Sequence, residues 1–192
     1  MSLKTEQGEI IVVAAPSGSG KTTIVKRILN EFPEIIFSIS ATTRRKRDNE
    51  TNGVEYFFIT EEEFKKKIEI NEFAEWERFY DYYYGTPKSF IDKNIQAHKP
   101  VLLELDVNGA LSIKRNYPNA HLIYIVPPSK QELIKRLTAR NTESEEDLRK
   151  RIERAKMELS LKDEFDYLIP NEDLEKAVQE AKILIKKIIF KE

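Results

Sequence analysis

Apolar residues along this chain fall in short unbroken runs, with segments of helical period between them. Residues 10–14 form the first run. Residues 101–105 form another, interrupted only by Glu104, and residues 122–126 a third, closed by Pro127 and Pro128. Residues 37–40 and 167–169 read as short strands as well. Continuous rather than alternating apolar runs predict strands covered on both faces, hence a parallel sheet with helices on each side. Between the runs, residues 22–32 carry Ile24, Ile28 and Leu29 on one helical face, and Pro33 ends that helix. Thr60 with Glu63, Ser129 with Glu132 and Thr142 with Glu145 have the spacing of capping boxes. Asn171 is placed to cap a last helix through Leu174, Val178, Ala181, Ile185 and Ile188. Residues 42–87 break this rhythm. They are rich in Tyr and Phe and alternate at 56–59 and 73–79, which predicts a small antiparallel lobe inserted into an α/β core.

The chain has 192 residues, enough for one domain with a small inserted lobe. Hydrophobic residues make up 40% and charged residues 34%, the balance of a globular domain with a heavily charged surface. The net charge of −1 gives no global attraction to nucleic acid or acidic membranes. Without cysteine there are no disulfides, thiolate metal sites or cysteine nucleophiles, which fits a reducing compartment. The first residues lack the apolar core of a signal peptide, and no run approaches the ~20 apolar residues of a membrane span. A cytoplasmic protein is the expectation.

The most specific chemistry follows the first strand. Residues 15–22 read Ala-Pro-Ser-Gly-Ser-Gly-Lys-Thr. A strand feeding a glycine-rich turn that ends in Gly-Lys-Thr and opens a helix is a phosphate cradle. Its backbone N–H groups bind phosphate oxygens, Lys21 offers a mobile positive charge, the Thr22 hydroxyl suits a magnesium ion, and the helix adds its positive end. A nucleoside triphosphate is the ligand this predicts. Ala15 stands where the full pattern has its first glycine, which is tolerable if the backbone there keeps a negative φ.

An acceptor must be read from the inserted lobe. Arg44, Arg45, Lys46 and Arg47 place four cations in succession, and arginine forks match phosphate oxygens, although a solvated basic loop has the same pattern. Tyr56 and the cluster Tyr80, Tyr82, Tyr83 and Tyr84 supply hydroxyls and ring faces, or the packing of a hairpin turning at Asp81. Glu72, Glu75 and Glu77 lie between these groups. A carboxylate accepts the adjacent N1–H and N2–H donors of guanine and repels the N1 acceptor of adenine. Pattern does not choose among the three. Asp106, at the C-terminal end of the 101–105 run, faces the crevice where α/β sheets bind ligands and suits a magnesium shell opposite Thr22, or the N-cap of the next helix. Farther on, Arg136, Arg140, Arg149, Arg151 and Arg154 are interleaved with acidic residues. They read as a salt-bridged surface or as a lid whose arginines close over a transferred phosphoryl group.

Taken in order, these segments resemble guanylate kinase, of the nucleoside monophosphate kinase group. The stretches that carry the likeness are residues 15–22, 38–45, 52–58, 72–76, 83–86, 103–110 and 140–146, and it spans about residues 9 to 189. The resemblance implies a P-loop core of three layers, with a parallel sheet flanked by helices at about 8–41, 88–138 and 160–192. It also implies an inserted mixed or antiparallel GMP-binding lobe at about 42–87 and a helical lid at about 139–159. It implies transfer of the γ-phosphoryl group of ATP to GMP or dGMP with Mg²⁺. ATP would lie on Ala15, Pro16, Ser17, Gly18, Ser19, Gly20, Lys21, Thr22 and Thr23, with Arg140 and Asn171 toward the adenine. Ser40, Glu75 and Thr86 would contact the guanine, and Arg44, Arg47, Tyr56 and Tyr84 the GMP phosphate, with Glu104 and Asp106 beside them. Lys21, Arg44, Arg136, Arg140 and Arg151 would carry catalysis. Thr22 and Asp106 would hold the metal, Asp106 through water. Glu104, Thr86 and Asn108 stand where other members have Asp, Ser and Gln. Neither nucleic acid nor membrane is an expected partner.

No catalytic base is needed, because the acceptor is a phosphate monoester with a second pKa near ~6. His98 and His121 read as surface or packing residues. Two rivals are a phosphopeptide-binding module on the same fold, which would have lost its nucleotide cradle, and a kinase for another phosphorylated small molecule, which would not need a guanine-reading carboxylate.

Overall fold

The computed structural model describes residues 7–79, 81–139 and 145–191. In chain order the strands are β1 (Ile10–Ala14), β2 (Ile36–Phe37), β3 (Ala41–Thr42), β4 (Phe57–Phe58), β5 (Phe73–Phe79), β6 (Tyr82–Pro87), β7 (Val101–Leu105), β8 (His121–Val126) and β9 (Tyr167–Pro170). The helices are α1 (Lys21–Glu31), α2 (Glu61–Glu69), α3 (Lys88–Gln96), α4 (Val107–Asn116), α5 (Lys130–Ala139), α6 (Glu145–Ser160) and α7 (Leu174–Phe190).

Five strands form a parallel sheet in the order β2-β7-β1-β8-β9. Its strands read as unbroken apolar runs because both faces are covered. Ile11, Val13, Leu102 and Ile123 pack with α1 and α7, through Ile24, Ile28, Val178 and Ile185. Ile10, Val12, Leu103 and Leu122 pack on the other face with Ile91, Ile95, Ala110 and Ile113 of α3 and α4. Each fully buried side chain of this size contributes about 1.5–3 kcal/mol. A separate small core of Leu133, Leu137 and Ala155 holds α5 to α6.

The second sheet, β4-β3-β6-β5, is inserted in the chain between β2 and β7. It is mixed rather than purely antiparallel, because β4 runs parallel to β3 while β6 is antiparallel to both neighbours. The β5–β6 ladder shifts register between Phe73 and Glu75, so that Glu75 stands opposite Thr86. A bulge of this kind turns the following side chain. The Ala74 carbonyl at the shift accepts Asn116 Nδ2–H from α4 at 2.7 Å.

Two local expectations are corrected. The strand expected over residues 37–40 is divided. The Ser38 N–H still reaches Leu102 O in the first sheet at 2.9 Å, whereas Ser40 O accepts the Phe57 N–H at 2.9 Å in the second. Four residues of strand-like sequence thus carry the chain from one sheet to the other. Asn171 does not cap α7. Asp173 does, accepting the Lys176 N–H at 2.9 Å, because the Asn171 side chain is turned toward Ser19. The Thr60 and Glu63 box forms in both directions, and Ser129 Oγ accepts the Glu132 N–H. Thr142 lies outside the described residues.

Candidate active site

The loop between β1 and α1 turns on two left-handed glycines, Gly18 at φ 89° and Gly20 at φ 85°. Ala15 is not among the residues with positive φ, so its methyl group costs nothing in backbone strain. Gly20 is the N-cap of α1 and has no side chain to occupy the first amides, and the first turn carries no acidic residue. By contrast, α2 begins with Glu61, Glu62 and Glu63 and a capping box. The start of α1 therefore keeps its positive end and the Lys21 and Thr22 amides for an outside anion, while the Thr23 N–H turns back to Gly20 O at 3.2 Å. Ser19 Oγ is buried in the loop without a hydrogen-bond partner among the described residues, an uncommon state that a polar ligand would relieve.

Asn171, buried on the connection after β9, donates to Ser19 O at 2.7 Å and fixes the loop from behind. At the front, Lys21 Nζ donates to Leu105 O and Thr22 Oγ1 donates to Glu104 Oε1 at 2.5 Å. Thr23 is exposed beside them, and Arg151 Nη2 from α6 reaches Ser17 Oγ at 2.8 Å. The Arg136 side chain and residue Arg140 lie outside the described residues.

In the second sheet, Ser40 just before β3 meets Thr86 and Glu75 of the β5–β6 hairpin. Ser40 Oγ lies 3.3 Å from Thr86 Oγ1, and Thr86 Oγ1 donates to Glu75 Oε1 at 2.6 Å. Burial pushes the Glu75 carboxyl up to about 7, and the charge of Asp106 adds to it, against the Thr86 hydrogen bond. The floor below Glu75 is Gly109. A Cβ there would stand 3.1 Å from Glu75 Oε2 and 3.4 Å from Asp106 Oδ1, so glycine keeps the space beside both carboxylates.

Arg44 is anchored in the loop that follows β3. Its Nη1 and Nη2 donate to the two oxygens of Glu50 at 3.0 and 2.7 Å, and Nη1 also donates to Arg45 O at 2.8 Å. The Arg44 hydrogen bond is the main reason the Glu50 carboxyl falls to about 2. The guanidinium lies 5.6 Å from the centroids of both Tyr56 and Phe58. Tyr84 meets Tyr56 edge-on at 6.0 Å, and burial raises the Tyr56 hydroxyl to about 12. Arg47 gives its backbone N–H to Glu50 Oε2 at 2.8 Å, while its side chain is exposed.

The fold around these groups is not confined to this chain. The guanylate kinase family profile matches residues 7–188. A guanylate kinase of Thermotoga maritima is 49% identical over 173 residues, covering 90% of this chain and 84% of that protein. One from Malacoplasma penetrans is 42% identical over the full length of both. The crystal structure of guanylate kinase from Anaplasma phagocytophilum superposes with a TM-score of 0.77 at 28% identity, over 94% of this chain and 86% of that one. The chain belongs to the guanylate kinase family.

Arg154 of α6, read in the sequence only as one of five arginines on a salt-bridged surface or lid, has its guanidinium among Glu77, Asp106 and Glu158, at 2.6, 3.1 and 2.7 Å. Asp106 does cap α4, through the Gly109 N–H at 2.8 Å, while its second oxygen faces Arg154. Burial raises the Glu77 carboxyl, and its hydrogen bond to Asp106 raises it further. Burial opposes the charge on Asp106, but that hydrogen bond and Arg154 outweigh it and hold Asp106 low. The i,i+4 spacing of Arg154 and Glu158 was a legible signal for one of these contacts. Glu50 was missed, because nothing in a run of loop residues marks which carboxylate turns inward.

Proposed function

We propose that this chain transfers the γ-phosphoryl group of ATP to GMP or dGMP, giving ADP and GDP or dGDP. One observation carries the acceptor assignment: Ser40, Thr86 and Glu75 are joined by short hydroxyl and carboxylate contacts beside Gly109, which in turn abuts Asp106. Glu75 accepts the guanine N1–H and N2–H, with Thr86 holding its other side. Adenine would leave this buried carboxylate facing an acceptor, which costs about 1–3 kcal/mol or more.

The contacts of Arg44 use three of its five N–H groups. Glu50 takes the Nη1–Nη2 end, so the Nε–Nη2 edge is left for two parallel bonds to the GMP phosphate. Tyr56 and Tyr84 add hydroxyls beside it, and Arg47 a second cation. On the donor side, the loop amides bind the ATP phosphates. Lys21 then turns from Leu105 O to the γ-phosphoryl group. Arg151, one contact away at Ser17, and the arginines 136 and 140 neutralise the charge that spreads over the transferring group. Asn171 lies toward the adenine. No side chain removes a proton, since the acceptor oxygen is already ionised.

The oxygen donors fit a magnesium ion. Among the described residues no group of three or more acidic or histidine side chains could hold a metal by itself. The Thr22 hydroxyl with the nearby carboxylates gives a partial shell of hard ligands, which suits an ion that keeps waters and phosphate oxygens. Thr22 would hold it directly and Asp106 through water. When bound it would supply charge neutralisation on the ATP phosphates.

Residues 42–87 act as the acceptor lobe in this reading, and residues 139–159 as a lid that excludes water. No helix among the described residues is long and apolar enough to cross a membrane. Coupled ADP release with GMP, dGMP, AMP, UMP and CMP as acceptors tests the proposal. Turnover with GMP and dGMP is expected; a preference for AMP, or no acceptor-dependent turnover, overturns it.

A further inference from the structure

Helix α6 presents two arginines three residues apart to opposite sides of the cleft. Arg151 reaches the donor loop at Ser17. Arg154 reaches the acceptor side, where one guanidinium serves three carboxylates from three parts of the fold. Its Nη2 donates to Glu77 Oε1 on β5 at 2.6 Å, and lies 3.1 Å from Asp106 Oδ2 at the start of α4. Its Nε donates to Glu158 Oε1 on α6 itself at 2.7 Å. The guanidinium carbon also sits 4.1 Å from the centre of the Phe79 ring, on the same strand as Glu77. Only 18% of the Arg154 side chain is exposed.

Packing alone would not select this arrangement, because buried ion pairs rarely stabilise a fold more than apolar side chains of the same shape. The position of the three acids matters more. Glu77 stands two residues after Glu75, so both side chains leave the same face of β5. Asp106 has one oxygen on the Gly109 N–H, and Gly109 abuts Glu75. Its other oxygen is the one that faces Arg154. Arg154 thus contacts Asp106 directly and is linked to Glu75 through Glu77 on the same strand face and through Asp106 at Gly109.

We propose that Arg154 is a positioning residue for the acceptor nucleotide. From α6 it fixes the rotamer of Asp106 and the seat of the β5–β6 hairpin, so that affinity for GMP depends on a side chain that does not touch GMP. This rests on the assignment of Glu75 and Asp106 to the acceptor site. A guanidinium suits this place better than an ammonium, which is a compact point charge, because its forked donors reach three acids from 4.1 Å over the centre of the Phe79 ring. Arg151 keeps its own contact to Ser17 and Asp106 would reach the metal only through water, so KM for ATP should move far less than KM for GMP.

Steady-state kinetics of the full chain test this. Arg154→Met should raise KM for GMP about 10-fold or more, as expected for a lost charged hydrogen bond, and leave KM for ATP within about 2-fold. Arg154→Lys should recover part of that loss. Glu77→Gln added to Arg154→Met should lie closer to the parent than Arg154→Met alone, because a neutral amide replaces one of the acids that lose their cation. If Arg154→Met does not fold, Arg154→Lys and the double variant carry the same comparison of GMP with ATP. An unchanged KM for GMP in a folded variant, or a parallel rise in both KM values, overturns the inference. Absence of GMP turnover by the unmodified chain would instead overturn the acceptor assignment.

Discussion

The Glu50 carboxylate meets the Arg44 guanidinium end-on, with side chains 9% and 14% exposed. The fork is thereby fixed in plane, against Tyr56 and Phe58, before any phosphate arrives. Glu50→Ala should free Arg44 to swing into solvent and lower kcat/KM for GMP roughly 10-fold, with KM for ATP little changed. If instead Glu50 only competes with the phosphate for Arg44, the same substitution should tighten GMP, and the direction of the KM change decides between the two. The pair also sets an acid limit. Glu50 titrates at about 2 in the fold against an ordinary value of 4.5. Its contribution to stability is present above pH 4.5 and is lost as pH falls through about 2.

Glu75 has the opposite sign. Its folded value of about 7 lies above the ordinary 4.5, so the fold holds this proton more tightly than the unfolded chain does. The stability it contributes is complete below pH 4.5 and is lost as pH rises through about 7. Glu75→Gln should therefore stabilise the ligand-free protein at pH 8, by on the order of 1–3 kcal/mol, and by little at pH 4. It should also lower kcat/KM for GMP about 10-fold or more. In the unmodified protein KM for GMP should fall as pH rises through about 7, when the carboxylate ionises. Thermal melts and kinetics across pH 5 to 9 check both; a variant less stable than the parent at pH 8 would sink the buried-charge account.

These two carboxylates mark where the sequence was and was not readable. The β1, loop and α1 unit was legible because its signals are local: an apolar run, two glycines that need positive φ, and Lys21-Thr22 at the helix start. The buried strands of the parallel sheet were legible for the same reason. The selection of Glu75 by pattern was not, since Glu72, Glu75 and Glu77 are chemically alike. Register decides among them. The shift between Phe73 and Glu75 sets Glu75 against Thr86 and aims Glu77 at Arg154, 77 residues away. Residues 37–40 failed for a related reason, as strand propensity does not say to which sheet a residue belongs. Arg154 was one of five arginines among acids, and only the third dimension separates it from its neighbours.

Gly20 carries a stronger constraint than its place in the motif alone suggests. Its φ is +85°, and a Cβ there would lie 2.7 Å from Asn171 Nδ2. Gly20→Ala should raise KM for ATP at least about 10-fold and destabilise the protein by about 1 kcal/mol or more. Adding Asn171→Ala removes the close contact but not the left-handed backbone. The double variant should thus remain well short of the parent in both measurements, and full recovery would show that space rather than φ is limiting.

Asn171 and Asp173 separate function from folding two residues apart. Asp173 is exposed, and its side chain accepts the Lys176 N–H at 2.9 Å as the cap of α7. Losing such a cap costs about 1 kcal/mol, or roughly 2–4 °C in Tm for a chain of this size. Asp173→Ala should show that loss with both KM values unchanged, because no contact among the described residues ties Asp173 to the loop. Asn171→Ala should do the reverse on the donor side. It leaves the cap intact but removes the 2.7 Å bond to Ser19 O, so the loop loses the group that fixes it from behind. KM for ATP should rise several-fold while KM for GMP does not, since a single lost hydrogen bond is worth about 0.5–1.5 kcal/mol. Were Asp173→Ala the variant that weakened ATP, the loop would be positioned through α7 rather than through Asn171.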